Sequence, residues 1–316
     1  MQSIIVNENN SNIKVEKYLQ AEYPGLSYST LQKAFRKRDI KVNGSRVGRD
    51  YVVMPGDRLE IYIVDELLIG SGNEDRTTRN KGFSVIYEDD NIILVNKEQG
   101  IPVHPDREQS QQTLIDLVRD YLRENSEYKA NNAYFQPALC HRLDRNTGGL
   151  IIIAKNQTSL DIMLEKLEAR EIKKYYQCLV TGKMEKPEAQ LKAYLWKDAN
   201  KSRVFVSEHK TTGSLEIVTG YKVIGYNPEN NVSRLEVELM TGRTHQIRAH
   251  LAFIGHPIIG DGKYGTNAVN RSFGLKQQAL WAYRLRFSFV KNGSLLDYLS
   301  GMEFSVTPGF DAQFSV

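Results

Sequence analysis

The sequence predicts an α+β protein of two domains, and three observations carry the prediction. The chain has 316 residues, and a domain takes roughly 150. Short apolar runs, Ile92 to Val95 and Leu150 to Ala154, alternate with a stripe of Leu160, Met163, Leu164 and Leu167. The runs read as buried strands and the stripe, spaced i, i+3, i+4, i+7, as an amphipathic helix with those residues in the core. Between Gly70 and Gly82 the polar stretch Ser-Gly-Asn-Glu-Asp-Arg-Thr-Thr-Arg-Asn-Lys has no apolar period and reads as a linker. The expected division is a module over 1–66, a linker over 67–82 and a larger domain over 83–316.

Composition narrows the class. Hydrophobic residues make up 41% and 23 glycines are present, as in an ordinary globular protein. Two cysteines, Cys140 and Cys178, exclude a disulfide scaffold and a multi-cysteine metal site, and fit a reducing, cytoplasmic compartment. No apolar run approaches the roughly 18 residues of a membrane span. The N-terminus, Met-Gln-Ser-Ile-Ile-Val-Asn-Glu, lacks the basic-then-apolar pattern of a signal peptide. The net charge of +4 says little until its location is known.

In the first module, Val15, Tyr18 and Leu19 recur at helical spacing. Ser27 is a candidate N-cap for a second helix whose buried stripe is Leu31, Ala34 and Phe35. Ile40-Lys41-Val42 then leads into Asn43-Gly44, a strong turn signal. After Pro55-Gly56-Asp57, the alternating Leu59, Ile61 and Ile63 predict a strand. Seven basic residues (Lys33, Arg36, Lys37, Arg38, Lys41, Arg46, Arg49) face only Asp39 and Asp50 between positions 31 and 50. Such a run is by itself as consistent with a solvated helix face as with a phosphate-binding one. In its order of elements, however, the segment resembles the small alpha-L RNA-binding module of ribosomal and synthetase proteins. The resemblance implies contacts to RNA phosphates from Lys33, Arg36, Lys37 and Arg38, which add affinity with little sequence information.

In the larger domain, Leu235, Val237 and Leu239 alternate as a half-buried strand. Two segments concentrate chemistry. His141-Arg142-Leu143-Asp144-Arg145-Asn146-Thr147-Gly148-Gly149 forms a loop running into the apolar strand at 150. Cations flanking an aspartate favour its charged form, in which it serves as nucleophile or base; the alternative is that Asp144 merely caps a turn beside structural arginines. The second segment, Thr241-Gly242-Arg243-Thr244-His245-Gln246-Ile247-Arg248-Ala249-His250-Leu251, follows a strand and enters a helix whose buried face is Ile247, Leu251 and Ile254. His245 and His250 lie five residues apart, about 140° around a helix, so they cannot chelate one ion as an i, i+4 pair does. No metal site is expected; these histidines bond backbone or contact substrate.

His141-Arg142-Leu143-Asp144 with Thr147, Gly149-Leu150 and Ala154-Lys155 resembles the catalytic motif of RluA-type pseudouridine synthases. Gly242-Arg243-Thr244-His245-Gln246-Ile247-Arg248 with His250-Leu251, Gly255-His256-Pro257-Ile258 and Gly260-Asp261-Tyr264-Gly265 resembles that family's late motif. Tyr87-Glu88-Asp89-Asp90 through Asn96-Lys97, Gly100 and His104-Pro105 resembles its opening strand, and Lys174-Tyr175-Tyr176-Gln177-Cys178-Leu179-Val180 its tyrosine motif. The resemblance runs from about residue 13 to 290. Two small-residue departures stand inside it: Gly148 where Ser is usual and Cys178 where Ala is usual.

The resemblance implies a central mixed, largely antiparallel sheet with flanking helices and a cleft across it. It also implies isomerisation of uridine in RNA to its C-glycoside, without cofactor or metal. Asp144 matches the essential aspartate, for which attack on C1′, addition to the base and removal of the C2′ proton all stay open. Tyr176 matches the tyrosine that stacks on uracil. Arg243 matches the arginine that pairs with the catalytic carboxylate. Arg142 is placed to occupy the space vacated by a flipped-out uridine, and His245 and Arg248 are candidate RNA contacts. The expected partner is RNA, ribosomal more than transfer RNA, bound by a monomer with no membrane association. A non-catalytic RNA-binding or ribosome-assembly protein is the competing reading. A glycosidase ranks below both, because the Asp144 loop offers arginines where paired carboxylates are needed.

Overall fold

The computed structural model describes residues 2–6, 13–23, 26, 28–63, 82–104, 112–124, 135–198, 203–290 and 293–311. The chain divides into two compact units, Met1–Arg79 with Ile86–Glu88, and Asn80–Val85 with Asp89–Val316. The expected N-cap Ser27 and, apart from Gly82, the expected linker lie outside the described residues.

The first unit is an α/β module. Its strands are β1 (Gln2–Ile5), β2 (Ile13–Lys14), β3 (Ile40–Val42), β4 (Ser45–Arg46), β5 (Val52–Val53) and β6 (Arg58–Ile61), with helices α1 (Val15–Glu22) and α2 (Tyr28–Lys37). An antiparallel sheet runs β1-β6-β3-β4, and β2 pairs with β5. Val15, Tyr18 and Leu19 of α1 and Leu31 and Ala34 of α2 are buried with Ile40, Leu59, Ile61 and Ile63. The β3–β4 hairpin turns through Asn43 at φ 51° and Gly44 at φ 79°, the left-handed pair that matches strand twist. Opposite the core, Arg36, Lys37, Arg38, Arg46 and Arg49 are exposed; Lys33 lies on α2 with its side chain outside the described part.

The second unit is built on one sheet. In chain order the elements of that sheet and its helices are β7 (Phe83–Glu88, whose Ile86–Glu88 groups with the first unit), β8 (Ile92–Lys97), α3 (Leu114–Glu124), β9 (Ala138–Leu139), β10 (Gly148–Ala154), α4 (Gln157–Glu168), β11 (Ile172–Thr181), β12 (Glu188–Lys197) and β13 (Val204–Ser207). These are followed by β14 (Leu215–Asn227), β15 (Val232–Leu239), α5 (Gln246–Phe253), α6 (Asn267–Ser272), β16 (Leu280–Phe287) and β17 (Glu303–Ser305). The strand order is β13-β12-β14-β15-β11-β16-β10-β8-β7, with β9 beside β10 and β17 beside β16. Strand β10 is antiparallel to β8, β11 to both β15 and β16, and β14 to β15, whereas β10 and β16 run parallel. The sheet is therefore mixed and largely antiparallel, as expected. Ile92 to Val95 and Leu150 to Ala154 are buried, which explains why both read as continuous apolar runs rather than alternating ones.

Helix α4 corrects one expectation. Its buried residues are Ser159, Met163 and Lys166, while Leu164 is 46% exposed. Lys166 goes inside because it has partners there: its Nζ lies 3.0 Å from Glu171 and donates to the Val290 carbonyl. A buried charge with an ion pair and a hydrogen bond has its desolvation offset, and a rule that sends every lysine to solvent misplaces the stripe.

At the parallel β10–β16 contact the two strands leave no room for a side chain on the β10 glycines. Gly148 pairs with Trp281 and Gly149 with Ala282. A Cβ on Gly149, which has φ 116°, would lie 2.2 Å from the Ala282 carbonyl oxygen. A Cβ on Gly148 would lie 2.3 Å from the Trp281 ring, and one on Gly309 would meet the same ring at 2.8 Å. The glycine at 148 therefore has a local cause: in this chain an indole occupies the space a serine side chain needs.

Candidate active site

A cavity of about 1020 Å³ opens across the second unit, lined by the loop after β9, the middle of β11 and the turn into α5. Asp144, Tyr176, Arg142, Arg243, His245 and Arg248 all line it. The residues expected to act together from 142 to 248 thus meet in one cleft, while Lys33, Arg36, Lys37 and Arg38 belong to the other unit.

The Asp144 loop is held by its backbone. Thr147 N–H donates to the Asp144 carbonyl, closing a turn. The Arg145 carbonyl accepts from Gly100 N–H and from Lys97 Nζ, each at 2.9 Å. Lys97 is fully buried and also donates to the carbonyls of Glu98 and Ile101. Burial pushes its pKa down to about 7, with the charge of Asp144 opposing. Gln99 adds a bond to the Asn146 carbonyl. His141 accepts from Ile152 N–H through Nε2 and is held neutral, burial pushing its pKa down to about 3. With the carbonyls of Asp144, Arg145 and Asn146 each accepting a hydrogen bond, the loop presents its one carboxylate at a fixed place.

That carboxylate meets an arginine, though not Arg243. Arg248 Nη1 donates to Asp144 Oδ2 at 2.7 Å, while its Nε and Nη2 form a fork on Asp261 at 2.7 and 3.0 Å. Asp261 is fully buried. Burial alone would raise its pKa, but the hydrogen bonds and charge of Arg248, with the N–H groups of Lys263 and Tyr264, hold it below the usual carboxylate range. The expectation that Arg243 pairs with Asp144 is therefore corrected. The turn explains the exchange. His245 adopts φ 54° before α5 starts at Gln246, and Gln246 Oε1 accepts the N–H of Arg243 while Gln246 N–H donates to its carbonyl. Arg243 is left exposed on the rim, and the first turn of α5 carries Arg248 beneath Asp144.

Tyr176 faces the same cavity from β11. Between Tyr175 and Tyr176 the register against β16 slips, Tyr175 pairing with Arg284 and Tyr176 with Ala282. Such bulges re-aim side chains beside functional sites. Tyr176 is buried, and burial first, then the charge of Asp144, pushes its pKa up, so it remains a neutral phenol. Arg142 is exposed at the rim. His250 has turned away and bonds Thr219 Oγ1 through Nδ1 at 3.0 Å; its pKa falls to about 4 by burial. Among the described residues no group of three or more His, Cys, Asp or Glu side chains is placed to hold a metal ion.

Sequence reasoning passed over Lys97, Asp261 and Tyr264 as working residues. A lone lysine closing an apolar strand and a lone aspartate inside the Gly-rich stretch 255–265 were the available signals. A charge in apolar surroundings must be paired to be kept.

An α+β sheet crossed by a cleft, with a clamped aspartate and a buried tyrosine, has counterparts among known proteins. The family described as RNA pseudouridylate synthase matches residues 91–253, just over half of the chain. The chain belongs to that family, in its RluA-type branch, and is an RNA pseudouridine synthase. It is 30% identical over 261 residues to the RNA pseudouridine synthase YhcT of Bacillus subtilis, covering 82% of this chain and 80% of that protein. It is 28% identical over 312 residues to the ribosomal large subunit pseudouridine synthase C of Haemophilus influenzae, covering 95% and 91%. The human RNA pseudouridylate synthase domain containing 1 shares the fold, with a TM-score of 0.57 at 21% identity over 74% of this chain and 88% of that one.

Proposed function

We propose that this enzyme isomerises uridine in large-subunit ribosomal RNA, with Asp144 as the essential carboxylate. The observation that supports this reading is the Asp144–Arg248 pair at 2.7 Å in a cleft walled by Tyr176. In the reaction the bond from C1′ to N1 breaks, the base turns, and C5 bonds to C1′. The C5 proton leaves and N1 gains one, so nothing is consumed. Asp144 attacks C1′, adds to the base or removes the C2′ proton, Arg248 fixes its direction, and Tyr176 stacks on uracil as a neutral ring.

A paired base does not reach such a cleft, so the target nucleotide is flipped out at a cost of a few kcal/mol. Arg142, exposed at the rim, takes the vacated place, Arg243 contacts the flanking backbone, and His245 contacts the RNA inside the cleft. The first unit, read as an alpha-L type RNA-binding module over 1–66, grips phosphates through Lys33, Arg36, Lys37 and Arg38. The ribosomal target rests on the name of the Haemophilus influenzae relative and on this module. We read the enzyme as a monomer acting in the cytoplasm; among the described residues no helix is long and apolar enough to cross a membrane.

The test is tritium release from C5-tritiated ribosomal and transfer RNA. Wild type releases tritium from large-subunit RNA, and Asp144→Asn lowers the rate by about a thousandfold or more, the scale of a lost acid–base or nucleophilic group. Release from transfer RNA alone overturns the ribosomal target, and release by Asp144→Asn at the wild-type rate overturns the role of the carboxylate.

A further inference from the structure

His245 has two ring nitrogens, and the structure assigns each a different duty. Nε2 lies 3.8 Å from Asp144 Oδ2. Nδ1 lies 3.0 Å from the Tyr264 hydroxyl. That hydroxyl is itself 3.0 Å from the backbone N of Val204 at the start of β13. An amide N–H only donates, so it occupies a lone pair of the phenol oxygen, and the phenol has a single proton of its own to give. Directed at Nδ1, that proton finds an acceptor. With the opposite tautomer the phenol oxygen would take two donors, and the described residues offer its proton no other acceptor.

The arrangement is built rather than incidental. The Tyr264 ring stands edge-on to the His245 ring at 5.7 Å. The guanidinium groups of Arg203 and Arg248 lie over the Tyr264 ring, 4.9 and 5.3 Å from its centre. Its backbone N–H is bonded to Asp261, the same carboxylate that holds Arg248. His245 sits in a left-handed turn at φ 54°, so its backbone is committed as well. Burial pushes its pKa down to about 4, Asp144 opposing and Arg248 and Lys263 assisting, so the ring is neutral at ordinary pH.

We propose that Tyr264 is a positioning residue: its hydroxyl fixes His245 as the neutral Nε2–H tautomer and so aims an N–H donor at the space beside the Asp144 carboxylate. At 3.8 Å that donor is beyond hydrogen-bond range of Oδ2. It is therefore not spent on Asp144 and serves an oxygen of the substrate nucleotide, a ribose hydroxyl or a uracil carbonyl. The other tautomer would put a lone pair there, facing a carboxylate. The effect on rate rests on Asp144 as the reaction centre; the tautomer is a property of the free enzyme.

The test uses the full chain labelled with ¹⁵N-histidine, with the His245 signals identified by their loss in His245→Gln. At neutral pH the wild type shows Nε2–H and an unprotonated Nδ1. Tyr264→Phe keeps the ring and its stacking but shows a mixture or the reverse tautomer. Its kcat falls about tenfold to a hundredfold with KM within about twofold, well inside the range known for a histidine held in the wrong tautomer. An Nδ1–H tautomer in the wild type overturns the assignment without any variant. An unchanged tautomer in Tyr264→Phe overturns the part played by the hydroxyl. A changed tautomer with unchanged kcat overturns its catalytic consequence. If the protein isomerised no RNA at all, the spectra would still decide the tautomer, so the two claims fail separately.

Discussion

The cleft and the basic face of the first unit both use charged side chains, in opposite ways. In the cleft Arg248 and Asp261 are buried, and Lys97 is spent on three backbone carbonyls. On the module Arg36, Lys37 and Arg38 stand exposed at the end of α2. Chemistry on one bond needs a carboxylate placed to within a fraction of an ångström, and a buried arginine forked on a second carboxylate holds it there. Gripping a polyanion needs only cations that can find phosphates and release their counterions. On the proposed function, the same residue types hold one carboxylate in one unit and meet phosphates in the other.

This contrast predicts unequal responses to mutation. Gly149→Ala strikes the frame of the cleft, where a Cβ meets backbone at 2.2 Å and φ is 116°. It is expected to cost about 3 kcal/mol or more, read as a fall in the denaturation midpoint of the second unit. A change under about 1 kcal/mol would mean that β10 and β16 part easily and that the cleft is less rigid than its packing implies.

Acid comes next. His141, His245 and His250 are neutral in the fold, their pKa values pushed down to about 3, 4 and 4, against roughly 6.5 in the unfolded chain. Between those values the unfolded chain binds more protons than the native one, so stability falls as pH drops from about 6.5 to about 4. The slope is at most about 1.4 kcal/mol per pH unit for each histidine. Denaturant titrations at pH 7, 5.5 and 4.5 check it; stability constant over that span would mean that the rings take up protons in the fold at the same pH as in the unfolded chain.

The smallest effect belongs to the module. Replacing Arg36, Lys37 and Arg38 by Gln together is expected to weaken RNA binding roughly tenfold at moderate salt. The salt dependence of log K should flatten by about 0.7 to 0.9 for each phosphate no longer neutralised, with the single-turnover rate at saturating enzyme unchanged. A slowed saturated rate would show that these cations act on the chemistry as well as on affinity.

Much of the fold was legible because its signals are local. The runs at 92–95 and 150–154, the Asn43-Gly44 turn and the stripe of α1 each depend on a few adjacent residues. Helix α4 was misread because Lys166 is buried by a partner, Glu171, that no periodicity reveals. In the cleft, motif order brought Asp144, Tyr176 and the 242–248 segment together. Which arginine reaches the carboxylate was hidden, since the left-handed residue His245 lies among the four between Arg243 and Arg248 and sends the first to the rim and the second inward. Tyr264 was legible only as part of a motif; its link to His245 exists because the stretch 258–265 folds back over α5.

The central claim is that Asp144, clamped by Arg248 rather than Arg243, is the reaction centre. The most direct measurement is the single-turnover rate of Arg248→Lys beside Arg243→Lys, with enzyme in excess over RNA. A lysine cannot fork on Asp261 and also reach Asp144, so Arg248→Lys is expected to lose about a hundredfold, as misplaced catalytic groups do, while Arg243→Lys stays within about threefold of wild type. A large loss at Arg243 with little at Arg248 would contradict the account.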